Sequence, residues 1–145
     1  KREVRITDRR MTRFFLTLED AIRLLFKAAA ESVGGEIFVM MMPTCRIVDL
    51  AEVLMEAYGR RVPIVETGTR PGEKIHEILL TEFESQSTVV YDREYLVILP
   101  PLQIPGLKER YAGYPKPSFQ SFSSADNLMT KEEIRAMLIR GGFIP

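Results

Sequence analysis

An α/β fold is predicted by two features of this 145-residue sequence. Short apolar, β-branched runs recur between segments of helical periodicity, and Gly or Pro marks most of the changes from one to the other. The length sets a prior of one domain. An apolar fraction of 46% is ordinary for a globular chain and provides for a modest core.

Residues 4–6 alternate with charge and read as a strand. Thr17-Leu18-Glu19-Asp20 then reads as a helix start: the threonine can cap, and the two acids meet the positive end of the helix dipole. Ala21, Ile22, Leu25, Ala28 and Ala29 give that helix one apolar face, and Gly34-Gly35 stops it. Residues 37–41 form an unbroken apolar run, short enough for a buried strand. Residues 43–46 lead into a second helix with Ile47, Leu50, Ala51, Leu54 and Met55 as its buried stripe, ended by Gly59. A strand is expected at 62–65, and a third helix opening at Pro71-Gly72 with Ile75, Ile78 and Leu79 as its apolar face. Residues 88–91 and 95–99 predict a small hairpin around Asp92-Arg93-Glu94. Residues 100–124 read as a long irregular loop in which Tyr114, Phe119 and Phe122 either wall a pocket or anchor the loop. Thr130-Lys131-Glu132-Glu133 has capping-box spacing, and the last helix, carrying Ile134, Met137 and Leu138, ends at Gly141-Gly142.

Composition narrows the function classes. Twenty basic and twenty acidic residues balance, which argues against a general nucleic-acid binder. Cys45 is the only cysteine, so no intrachain disulfide forms, which suits a reducing, cytoplasmic setting. One cysteine and one histidine, His76, do not make a typical zinc site. No apolar run is long enough to span a bilayer, and no membrane partner is expected. The chain opens on Lys1-Arg2-Glu3, without a signal peptide's apolar core and without a methionine, as a fragment would.

Two basic motifs stand out. In Thr69-Arg70-Pro71-Gly72-Glu73-Lys74-Ile75-His76-Glu77, a helix opening at Pro71-Gly72 would present free N–H groups and its dipole. Arg70 could then fork onto phosphate oxygens, and Glu73 could accept from sugar hydroxyls. The alternative is a plain helix start with solvated charges. In Arg9-Arg10-Met11-Thr12-Arg13-Phe14-Phe15, Arg13 lies between a threonine and two phenylalanines and offers a second phosphate ligand; the alternative is a basic loop. His76 reads as a surface or interface residue, and Met40-Met41-Met42 as core. No glycine-rich dinucleotide loop and no tyrosine followed four residues later by lysine occur, so no self-sufficient catalytic apparatus is visible.

These motifs resemble a known family. Met11-Thr12-Arg13-Phe14 with Leu16-Thr17-Leu18-Glu19-Asp20-Ala21, then Gly35-Glu36-Ile37-Phe38-Val39 and Ile47-Val48-Asp49-Leu50-Ala51, are similar to extended short-chain dehydrogenases. Arg70-Pro71-Gly72-Glu73-Lys74-Ile75-His76-Glu77 and the run Tyr91-Asp92-Arg93-Glu94-Tyr95-Leu96-Val97-Ile98-Leu99-Pro100 resemble the UDP-N-acetylglucosamine 4,6-dehydratases of capsule, O-antigen and pseudaminic-acid synthesis, in their short branch without a membrane anchor.

The resemblance covers only the C-terminal, UDP-sugar-binding portion of that family's chain. It implies a missing N-terminal Rossmann domain that would hold NADP or NAD and the catalytic residues. This chain alone is then expected to be inactive and to bind no cofactor. In the whole enzyme the sugar is oxidised at C4, water is eliminated across C5 and C6, and hydride returns to C6, with C5 inversion in some members. Arg13 and Arg70 are implied to approach the UDP diphosphate and Glu73 the uridine ribose, with Thr12 carried over as a further substrate contact. A homo-oligomer is expected. Met40-Met41 replace a Pro-Lys of relatives, and Phe122-Ser123-Ser124-Ala125-Asp126-Asn127 departs from a pattern opening on tyrosine. A UDP-sugar epimerase of the same superfamily and a stand-alone binding or assembly module are the alternatives.

Overall fold

The structure, a computed structural model, describes residues 2–145. It divides into two compact units: residues 1–15, 43–77 and 123–145 form the first, and residues 16–42 and 78–122 the second.

In the first unit, strand β1 (Val4–Ile6) pairs in parallel with Ile64–Glu66, and strand β2 (Thr12–Phe14) pairs antiparallel with Thr44–Arg46, Arg13 facing Cys45. The strand at Thr44–Arg46 replaces the expected lead-in loop. Pro43 accepts the Phe15 N–H at 2.9 Å, so β2 holds the segment extended before the helix begins. That helix runs Ile47–Ala57, and a capping box opens the last one, Lys131–Arg140, as the Thr130–Glu133 spacing predicts. The two helices enclose a core of Cys45, Val53, Ile134, Leu138 and Ile144. Ion pairs from Lys131 to Glu52 and from Arg135 to Glu56 tie them at the surface.

In the second unit, helix α1 (Leu18–Glu31) starts on a Thr17 hydroxyl that accepts the Asp20 N–H at 3.1 Å. The sheet is β3 (Ile37–Met40), Tyr95–Ile98 and Thr88–Val90, antiparallel throughout, with Tyr95–Ile98 in the centre. The expected hairpin is therefore present. All four residues of its second strand are buried, as a central strand's should be. Val89, Val97, Leu107 and Tyr111 form the core on one face. Short elements complete the chain: strands Ile78–Leu80 and Phe122–Ser123, and helices Glu82–Ser85 and Leu107–Tyr111.

Two expectations need correction. Residues 100–124 are not one irregular loop: Leu107 and Tyr111 are buried anchors of a short helix within it. The third helix at Pro71-Gly72 does not form: Ile78 and Leu79 belong to a strand, and the nearest helix begins at Glu82.

Candidate nucleotide-sugar site

The failed helix shapes the site. Arg70 to Glu73 close a tight turn in which the Glu73 N–H donates to the Arg70 carbonyl at 3.0 Å. Gly72 has φ of +82°, and proline before a left-handed glycine is the type II pattern. A left-handed residue cannot sit in a right-handed helix, so the turn ends any helical start. The Glu73 carboxylate accepts the Arg70 N–H at 3.1 Å and closes the turn from the other side. Without the helix, the expected dipole and free N–H groups at Pro71-Gly72 are absent.

The backbone after the turn is instead held by distant partners. The Ile75 carbonyl accepts the Thr12 N–H at 3.0 Å, and the Glu77 carbonyl accepts the Ser124 N–H at 2.8 Å. Arg13 reaches the same stretch with its side chain. One terminal nitrogen donates to the carbonyls of Thr12 at 2.6 Å and Ile75 at 3.2 Å, the other to Lys74 at 3.0 Å, and Glu77 lies at 3.7 Å. Arg13 is thus half-buried and pins the loop behind the turn. A guanidinium has five N–H groups, and three are spent here, leaving two. Arg70 is exposed at the head of the turn, and no described residue bonds to its guanidinium.

Thr12 is buried, and its hydroxyl lies 2.8 Å from His76 Nδ1 and 2.7 Å from Ser124 Oγ. It offers no free hydroxyl to a substrate. Ser124, which also accepts the Glu77 N–H at 2.9 Å, is the residue that sequence reasoning missed. A serine 47 positions from its partner has no local signal. The rest of the arginine cluster disperses: Arg9 pairs with Glu66 at 2.9 Å, and Arg10 with Asp8 at 2.8 Å. The Arg10 hydrogen bonds hold the Asp8 carboxyl down at about 2.

Apart from this loop, the first unit has an open concavity of about 1030 Å³ between β1 and the Ile47–Ala57 helix. Ile47, Leu50, Leu54 and Met55, expected as a buried stripe, line it. Among the described residues no three His, Cys, Asp or Glu side chains group to hold a metal, and no helix is long and apolar enough to cross a membrane. The residues do not fit a nicotinamide dinucleotide either. Of the paired glycines Gly34-Gly35, Gly35 is backed by protein, so that a Cβ there would meet Ile104 at 2.5 Å, and the pair follows a helix where the dinucleotide loop precedes one.

Comparison with known proteins agrees with this architecture. Residues 1–99 match the family model described as polysaccharide biosynthesis protein. The inverting UDP-N-acetylglucosamine 4,6-dehydratase of Campylobacter jejuni subsp. jejuni serotype O:2 is 35% identical over 96 residues, covering 66% of this chain and 28% of that protein. The capsular polysaccharide biosynthesis protein CapD of Staphylococcus aureus is 41% identical over 96 residues, covering 63% of this chain and 16% of its own length. The X-ray structure of Pen from Bacillus thuringiensis superposes with a TM-score of 0.84 at 30% identity, over 99% of this chain and 43% of Pen. The chain therefore spans less than half of each of these proteins. It belongs to the polysaccharide biosynthesis protein family.

Proposed function

We propose that this chain is the UDP-sugar-binding portion of a nucleotide-sugar 4,6-dehydratase acting on UDP-N-acetylglucosamine. The observation that carries the reading is the guanidinium of Arg70, exposed and uncommitted on a turn whose following backbone Arg13 pins. A diphosphate needs charge-assisted donors held in place, and a rigid turn supplies the holding. Arg13 contributes its two remaining N–H groups and its charge. Glu73 uses one carboxylate oxygen on the Arg70 N–H, and the other is left for a ribose hydroxyl. These residues bind and orient the nucleotide end, which is the positioning part of catalysis. The nicotinamide cofactor and the groups that move protons then belong to polypeptide outside this chain, in keeping with relatives more than twice its length.

Calorimetric titration of UDP against the protein tests this. Arg70→Ala is expected to weaken UDP at least about tenfold, since removing one partner of a charged, hydrogen-bonded pair costs about 2–5 kcal/mol. Glu73→Gln should lose less, because its partner is a neutral hydroxyl. Equal UDP affinity in wild type and Arg70→Ala would remove the diphosphate reading. Product analysis with the full-length protein separates dehydratase from epimerase chemistry.

A further inference from the structure

We propose that His76 is a built hydrogen-bond acceptor for a sugar hydroxyl of the bound nucleotide, its ring held in one tautomer by the buried hydroxyls of Thr12 and Ser124. This rests on the UDP-sugar reading of the adjoining turn.

The tautomer follows from counting protons. Four contacts meet at the hydroxyl pair: Glu77 N–H to Ser124 Oγ at 2.9 Å, Ser124 Oγ to the Thr12 carbonyl at 3.1 Å, Ser124 Oγ to Thr12 Oγ1 at 2.7 Å, and Thr12 Oγ1 to His76 Nδ1 at 2.8 Å. Each hydroxyl has one proton to give. If Ser124 donates to the Thr12 carbonyl, Thr12 donates to Ser124, and Thr12 must then accept from His76. All four contacts are hydrogen bonds in this arrangement. If Ser124 donates to Thr12 Oγ1 instead, Thr12 can donate to His76, but the contact between Ser124 and the carbonyl is left without a proton. The first arrangement makes one bond more, and both hydroxyls are closed off from water, which could otherwise make up the difference. Nδ1 therefore carries the proton, and Nε2 presents a bare lone pair.

That lone pair has no partner among the described residues, and His76 is exposed. The ring is fixed from behind and open in front, on the segment that Arg13 pins after the Arg70 turn. A lone pair so placed accepts from O–H or N–H and rejects a bare phosphate oxygen. The ligand group that meets it is then a hydroxyl of the nucleotide's sugar and not its diphosphate.

His76 is the only histidine, so one imidazole appears in a two-bond 1H–15N correlation spectrum of the 15N-labelled protein. In the neutral imidazole the Nδ1-protonated form is expected to dominate. Ser124→Ala deprives the Thr12 hydroxyl of its acceptor, so its proton turns to His76 and the population shifts toward protonated Nε2. A wild type already protonated at Nε2 overturns the proposal. With UDP as the probe, the Nε2 resonance should move, His76→Phe should weaken binding about tenfold, and His76→Gln, which keeps an acceptor oxygen, should recover much of the loss. Unchanged UDP affinity in His76→Phe also overturns it. A wild type that takes up no UDP removes the reading of the loop as a UDP site; that failure is distinct, because the tautomer of the free protein judges the acceptor alone.

Discussion

Arg13 and Arg70 have the same side chain and do different work, and burial separates them. Arg13 is half-buried and bonded to three carbonyls, so its loss removes three charge-assisted bonds and takes from the Lys74 carbonyl its protein donor. Arg13→Ala is expected to cost about 1.5–3 kcal/mol of stability, the range for hydrogen bonds to a charged group. Arg70→Ala should stay within about 0.5 kcal/mol, as exposed substitutions do. Urea denaturation of both variants checks the split, and equal losses would contradict it. A third residue gives a pH-dependent signal. Cys45 is fully buried, and burial pushes its thiol up to about 12. The unfolded thiol titrates near about 8.5. Between those values the unfolded chain releases a proton that the folded one keeps, so stability falls as pH rises above about 8.5. Below that pH the thiol has no effect. Ellman's reagent at pH 8 should leave native Cys45 unlabelled and react fully once urea unfolds the chain.

At the scale of elements, the turn at Arg70–Glu73 decides where the site's groups lie. Gly72 holds φ of +82°, and a Cβ there would touch nothing within 4 Å. Gly72→Ala therefore meets backbone strain alone, about 1–2 kcal/mol. It is expected to lower UDP affinity as well as the melting temperature, because Arg70 rides on the turn. A melting loss with unchanged UDP binding would detach the turn from the site. The same turn shows what the sequence makes legible. The capping box at Thr130, the Thr17 start of α1 and the hairpin around Asp92 are local patterns, set by neighbours a few residues apart, and each is read correctly. Arg70, Glu73 and Arg13 stand out through residue type and resemblance. The third helix fails because Ile75 and Ile78 mimic a helical stripe while Thr12, Arg13 and Ser124 draw the 74–77 backbone into distant hydrogen bonds. The strand Thr44–Arg46 is missed for the same reason: its partner β2 is about thirty positions away. His76 and Ser124 acquire their roles only through those long-range contacts.

At the scale of the whole molecule, the apolar surface is distributed as in a part that packs against something. Helix α1 carries Leu18, Ile22, Leu25 and Phe26 on one face, at i, i+4, i+7 and i+8, and all four are exposed, Leu25 at 67% and Phe26 at 69%. Single exposed apolar residues need no explanation, but a contiguous stripe along a fourteen-residue helix marks an interaction face. In water such a face gains by meeting another apolar surface, and in a pure sample the surface at hand is a second copy. The protein is therefore expected to self-associate. Sedimentation velocity should show a weight-average coefficient that rises with concentration between about 5 and 500 μM, the range over which an association of micromolar strength is populated. The double variant Leu25→Glu with Phe26→Glu puts two charges into the stripe, where neither original side chain is buried. It should abolish the rise and leave the circular dichroism of the folded chain unchanged. A wild type that sediments as a monomer across the whole range would show that the stripe does not bind its own kind, and a rise that survives the double variant would move the contact to another surface.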